Sequence, residues 1–287
     1  MSNIPQTNPL AAYMRLPGLN VPLPTGGAFL PESEFTPAED GTVPILPMRA
    51  ADEYLLKNAD ALLSGLAIQK LLESCVPAIK NPSLVSTPDL DVLLLAIRAA
   101  TYGELMEVGA VCPKCGTENA FDCHLPSVLA TMKPVPSENP VRLSDEVIAY
   151  VRPYNFRNAT QIALVTFQET RKVQALQMDP EASETQKTAQ MNSSLERIAN
   201  LQADMLAECV YQVATPDGVV NSPEFIAEFV GNISSIWVSE IGTKLSELNE
   251  NYGIDKTVQA KCSNPKCQHE WETNIEFDPA SFFGTGS

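Results

Sequence analysis

Apolar positions along PMRAADEYLLKNADALLSGLAIQKLLESCVPAI recur at the three-to-four-residue spacing of amphipathic helices. Asp52 is placed to cap a first helix carrying Leu55 and Leu56, and Asn58 or Asp60 to start a second. Leu62, Leu66, Ile68, Leu71 and Leu72 then supply one apolar face. The next segment, STPDLDVLLLAIRAATYG, offers Ser86 or Thr87 as cap, Pro88 in the first turn and Gly103 as the stop. Its centre, VLLLAI, is apolar on every face, which predicts a helix buried in the middle of its domain.

Beyond Gly103 the period changes. ELMEVGAV and ENAFDCHL read as two short strands, and TVQAK and HEWETNIEF repeat the pattern near the other end of the chain. VRLSDEVIAYVRPYNF reads as a strand pair. From about Asn158 to Glu250 the pattern is mostly helical, with Leu195, Ile198, Leu201, Met205, Cys209 and Val213 on one stripe of the longest helix. MDPEASETQKTAQ is a polar break before that helix, and TPDGVVNSPEF a turn followed by a Pro-initiated helix. No internal repeat of 20–50 residues occurs.

Residues 1 to about 48 hold nine prolines, which exclude a regular helix or a central strand. Apolar islands (Tyr13–Met14 with Leu16, and Phe29–Leu30) favour an extended arm that docks on a partner over a solubilising tail. The C-terminal DPASFFGTGS poses a similar choice. Phe282 and Phe283 either fold back on the chain's own core or fill a pocket on a neighbouring subunit. The resulting expectation is an α+β, mainly α chain: an arm (1–48), a helical domain (49–103), a first hairpin (104–125), a mainly helical insertion (126–256), a second hairpin (257–277) and a docking tail (278–287).

The cysteines tie the two hairpins together. Seven cysteines, four of them in two close pairs, suit metal binding in a reducing compartment better than a disulfide framework. In CPKCG, Pro113 pre-sets a tight turn and Gly116 permits the positive φ that follows, so both thiolates can face one ion. CSNPKC does the same with two more residues. Cys112, Cys115, Cys262 and Cys267 are therefore the expected ligands of a structural Zn2+ in a split zinc ribbon. The 146 residues from Gly116 to Lys261 would form an insertion into that ribbon. A local site using Cys123 or His124 is disfavoured, because adjacent strand residues point to opposite faces and the second pair would be left over. His269 is a weaker substitute ligand, and Cys75 and Cys209 lie in apolar helical patterns as core residues.

Charge and the remaining motifs exclude several functions. A net charge of −16, from 35 acidic and 19 basic residues, opposes a phosphate backbone as main partner. No apolar run approaches the ~20 residues of a membrane span, and the first residues carry no basic-then-apolar secretion signal. Four thiolates leave no open coordination position for catalysis. With two histidines and no G-x-S-x-G, P-loop, Rossmann or H-E-x-x-H pattern, no enzyme is expected. The acidic pairs Asp89/Asp91 and Asp145/Glu146 read as caps and turns.

Two stretches carry a family resemblance. PMRAADEYLLKNADALLSGLAIQKLLESCVPAI followed by PDLDVLLLAIRAATYGELMEV and CPKCG resembles the baseplate hub protein family of T-even-type contractile-tailed bacteriophages. The closing C..PKC.HEW with IEFDPASFFG is similar to the end of related phage proteins, so the likeness covers roughly residues 45–125 and 255–284. It implies a structural or assembly role without enzymatic activity. It also implies contacts to other baseplate and tail proteins, here through the arm and tail, and a place in the virion or, during assembly, in the host cytoplasm. The alternatives are a zinc-ribbon nucleic-acid-binding or transcription-related protein, which the charge opposes, and a metal-dependent hydrolase, which would need an open ligand position.

Overall fold

A computed structural model describes residue 10, residues 14–275 and residues 282–283. It is an α+β chain with two hydrophobic cores. The first is organised around one helix. Strands β1 (Leu19–Val21) and β2 (Val43–Ile45) pair antiparallel, and α1 (Ala50–Leu56), α2 (Ala59–Leu63) and α3 (Leu66–Cys75) lead to α4 (Thr87–Tyr102). Val92 to Ile97 of α4 are all buried, as an all-apolar stretch requires. Ser86 caps α4, with its hydroxyl accepting from the Asp89 N–H, and Asn58 caps α2. Gly103 ends α4 at φ +94°, open to glycine alone without strain. The cap of α1 is Arg49, not Asp52. Asp52 sits at the third helical position, accepts from the Arg49 backbone N–H, and is buried where the Ser74 hydroxyl of α3 also donates to it.

From Gly18 onward the proline-rich segment packs on the chain's own core. Val21, Leu23, Leu30, Val43 and Ile45 are buried in the same core as α3 and α4. The Thr25 N–H and hydroxyl donate to the Asp89 carboxylate at 2.9 and 2.5 Å, and Phe29 packs against the second core with its ring 6.4 Å from Tyr211. Proline tolerates this because β1 and β2 form a ribbon of two strands only. Each has a free edge where a missing N–H costs nothing, as at Pro44 opposite Asn20. Met14 and Leu16 are exposed, and Tyr13 lies outside the described residues.

After α4 come β3 (Leu105–Val111), β4 (Glu118–His124) and the short α5 (Leu125–Leu129). The chain then builds its second core on an antiparallel sheet of β5 (Pro140–Arg142), β6 (Ile148–Val151), β7 (Val210–Thr215) and β8 (Gly218–Val220), in that order. Between β6 and β7 run α6 (Phe156–Met178) and α7 (Glu184–Cys209), a long helical hairpin. Its middle is polar: buried Glu169 accepts from Ser194, Lys172 and Arg197. Helices α8 (Pro223–Asn232) and α9 (Ser235–Glu250) cover the sheet through Ile226, Val230, Ile241, Leu245 and Leu248. Lys133 and Gly253 exchange backbone hydrogen bonds where the chain enters and leaves this lobe, before β9 (Thr257–Lys261) and β10 (Glu270–Asn274).

The expected apolar stripe from Leu195 to Val213 is broken. Helix α7 stops at Cys209, Val213 belongs to β7, and Leu195 is mostly exposed. The strand wins because Val210–Thr215 is rich in β-formers and the two residues Pro216 and Asp217 turn it back, pairing Thr215 with Gly218.

The C-terminal aromatics also turn inward. Phe282 and Phe283 are buried in the first core, their rings edge-to-face at 5.0 Å. Arg98 of α4 lies over the Phe282 ring and donates to its carbonyl, and the Tyr102 hydroxyl donates to the Phe283 carbonyl. At these two residues the expected tail that docks on a subunit is replaced by one that docks on α4, because α4 offers both an apolar wall and two donors for the Phe282 and Phe283 carbonyls. The other residues of that tail lie outside the described ones. Phe282→Ala is expected to lower the stability of the isolated chain by about 3 kcal/mol, measured by denaturant unfolding.

Candidate metal centre

Two hairpins of unlike sequence build one site. In the first, β3 and β4 pair through Val111 opposite Glu118, and the chain turns within Cys112–Thr117. The Cys112 N–H donates to the Thr117 carbonyl and the Gly116 N–H to the Cys112 carbonyl, with Gly116 at φ +72°. In the second, β9 and β10 pair through Lys261 opposite Glu270. The Cys262 N–H donates to His269, and Asn264 holds the turn by accepting from the Cys267 N–H on its carbonyl and from the Lys266 N–H on its side chain. Gln268 follows the last cysteine at φ +47°, where the first hairpin has Gly116.

The same backbone turn is thus made once with glycine and once under strain. Gly116→Ala should cost about 1 kcal/mol, whereas Gln268→Gly should be neutral or slightly stabilising. Chemical denaturation of the two variants measures the difference. Equal losses at both positions would contradict the shared turn.

The four sulfurs converge. Cys112 Sγ lies 3.9 Å from Cys267 Sγ, and Cys115 Sγ 3.5 Å from Cys262 Sγ. All four sulfurs are within 4.8 Å of one another, although the pairs are separated by about half the chain. Four thiolates at ~2.3 Å from a tetrahedral ion stand about 3.8 Å apart, so the donor set and its spacing fit one metal ion. The separations are far too long for disulfides, and all seven cysteines are free. Asn119 locks the hairpins together: its side chain donates to the Thr117 carbonyl at 2.7 Å and accepts from the Ser263 N–H at 2.7 Å. Nothing in the sequence singled out Asn119. Its role exists only once the second hairpin is in place.

Electrostatics favour a cation here. Hydrogen bonds from the Thr117 hydroxyl and backbone bring the Cys115 thiol down to about 6. Burial, with hydrogen bonding among the clustered thiols, pushes Cys262 up to about 12. One thiolate forms readily and further negative charge is resisted, which is the condition a divalent cation relieves. With all four sulfurs bound, no position remains for a substrate, so the arrangement can hold structure but not activate water.

The rival ligands lie elsewhere. Cys123 is buried in the first core, opposite Met106. His124 Nδ1 is 2.7 Å from the Ser127 hydroxyl and its Nε2 3.6 Å from Glu104, while His269 stacks on Trp271. Cys75 and Cys209 are core thiols, pushed by burial up to about 11 and about 12. Of the acidic pairs, Asp89 holds Thr25 and Asp91 pairs with Lys256, so both fasten distant chain segments to α4. The two hairpins remain separate two-stranded sheets, with β4 packed beside β9.

A family model described as T4 bacteriophage base plate protein matches residues 48–284. Comparison with curated proteins and with solved structures finds no match.

Proposed function

Because the chain belongs to the T4 bacteriophage base plate protein family, we propose that it serves the hub region of a contractile-tail baseplate as a non-enzymatic structural or assembly component. In this reading a structural zinc ion on Cys112, Cys115, Cys262 and Cys267 clips the two ends of its insertion together. The observation that supports it most is the extent of the family match, which runs through both lobes and both cysteine hairpins. Membership of this family implies a structural role in the virion and contacts to other phage tail proteins. No described helix is long and apolar enough to cross a membrane. A closed thiolate site agrees with a part whose task is to keep its shape, since zinc bound this way contributes folding free energy and nothing to turnover.

The test is to locate the chain. Mass spectrometry of purified baseplate intermediates should find it with hub proteins, and phage lacking its gene should accumulate no complete baseplates. Normal baseplates formed without the chain would overturn the role. Its recovery with peripheral parts alone would overturn the hub position.

A further inference from the structure

Helices α8 and α9, joined through Ile233 and Ser234, leave a groove of ≈ 660 Å³ between Phe225, Phe229, Ile233 and Trp237. Ile226 and Val230 of α8 and Ile241 and Leu245 of α9 are already spent on the second core. Phe225, one position from Ile226, is exposed, while Phe229 at i+4 is half-buried, packing against the second core and lining the groove. Phe225 is 65% exposed and Ile236, in the first turn of α9, 68%. Phe229 and Trp237 line the floor with ring centroids 6.4 Å apart. Apolar and aromatic side chains gathered on one concave surface mark a contact site, whereas single exposed ones do not.

Charge says what the contact takes. From Val210 to Thr243 the only charged residues are Asp217, Glu224, Glu228 and Glu240. Glu228 lines the groove, Glu224 stands one turn before it, and Glu240 one turn beyond Ile236. None of these three carboxylates is in an ion pair among the described residues. Helix α7, which packs on α8, carries no base from Ile198 to its end, and its Glu208 is already paired with Arg157. The groove is therefore apolar in its floor and acidic on its rim. A second copy meeting it face to face would set acid against acid. Anionic lipid and nucleic acid are repelled for the same reason.

Resting on the base plate reading above, we propose that this groove binds a segment of another tail protein in which large apolar side chains are flanked by Lys or Arg. The apolar side chains fill the space beside Phe225 and Trp237, and the basic ones pair with Glu224, Glu228 and Glu240. Such rim charges steer the encounter and select the partner, while the buried aromatics hold it.

The experiment places a photoreactive benzoyl-phenylalanine at position 225 of the full chain during phage assembly, with the same group at exposed Glu73 as control. Mass spectrometry of the adducts should show one dominant cross-link from position 225, absent from position 73, to a net basic apolar segment of a tail protein. A synthetic peptide of that segment should bind the purified chain about tenfold or more weakly after Phe225→Ser, and less well with a flatter salt dependence after Glu224→Gln with Glu228→Gln. Both variants should keep the parent's melting temperature, because the altered side chains are exposed. Adducts to a second copy or to an acidic segment, unchanged peptide affinity in Phe225→Ser, or no adduct although the chain is in the assembly would each overturn the groove. Absence of the chain from assembly intermediates would instead overturn the base plate role itself.

Discussion

Replacing Cys262 by serine should empty the metal centre and lower the melting temperature of the purified chain by at least ~10 °C. Structural zinc supplies about 10–16 kcal/mol of apparent binding free energy in small zinc domains, against a typical domain stability of ~5–15 kcal/mol. Cys262 is buried and its sulfur lies 3.5 Å from that of Cys115, so the variant loses a ligand and also the tie between β9–β10 and β3–β4. An ion held by the four sulfurs would close a loop that runs from one hairpin through the whole second lobe to the other. Its loss therefore releases much more chain than the hairpins themselves. Cys123→Ser is the control: that thiol packs in the core away from the cluster, and the variant should keep its zinc. Metal analysis with thermal unfolding of both variants decides the matter. Full zinc occupancy in Cys262→Ser would sink the four-cysteine site.

Deletion of residues 1–47 should prevent folding of the first lobe altogether. The cut removes Val21, Leu23, Leu30, Val43 and Ile45 from a core they share with α3 and α4, and it removes the Thr25 donors that satisfy the buried Asp89 carboxylate. Large-to-small changes of single buried aliphatics cost about 2–5 kcal/mol each, and here five are lost together. A buried carboxylate that loses both Thr25 donors adds to that cost. Soluble protein with native near-ultraviolet circular dichroism after the deletion would show that the segment is dispensable. An arm that only reached a partner would give that result. As a graded check, Ile45→Ala alone should lose about 3 kcal/mol in denaturant unfolding.

The features legible in the sequence were those written in local spacing. VLLLAI announced a helix buried on every side, and Ser86, Asn58 and Gly103 marked ends that the fold keeps. The two cysteine pairs, with a proline before each closing cysteine, named four residues whose sulfurs do converge. What stayed hidden depends on contacts between distant segments. Prolines in residues 1–48 correctly excluded a helix, but they are silent on whether an extended chain lies on its own core or on a neighbour's. The deciding fact is that α4 presents Asp89 to Thr25.

Phe282 and Phe283 posed the same choice, and Arg98 and Tyr102 decide it. The turn in TPDG was legible, but its hairpin was not, because the apolar spacing of α7 runs on across Cys209 into Val213 of β7. There the helical period continued by chance past the true helix end. Asn119 and Gln268 had no local signal at all. One bridges two hairpins far apart in sequence, and the other holds a backbone angle that its residue type disfavours.

Zinc-edge X-ray absorption on the full-length chain, purified without added metal, tests the central claim most directly. The account predicts one zinc per chain in a single shell of four sulfurs at about 2.3 Å. Nitrogen or oxygen in that shell, fewer than four sulfurs, or a folded chain that carries no metal would contradict it.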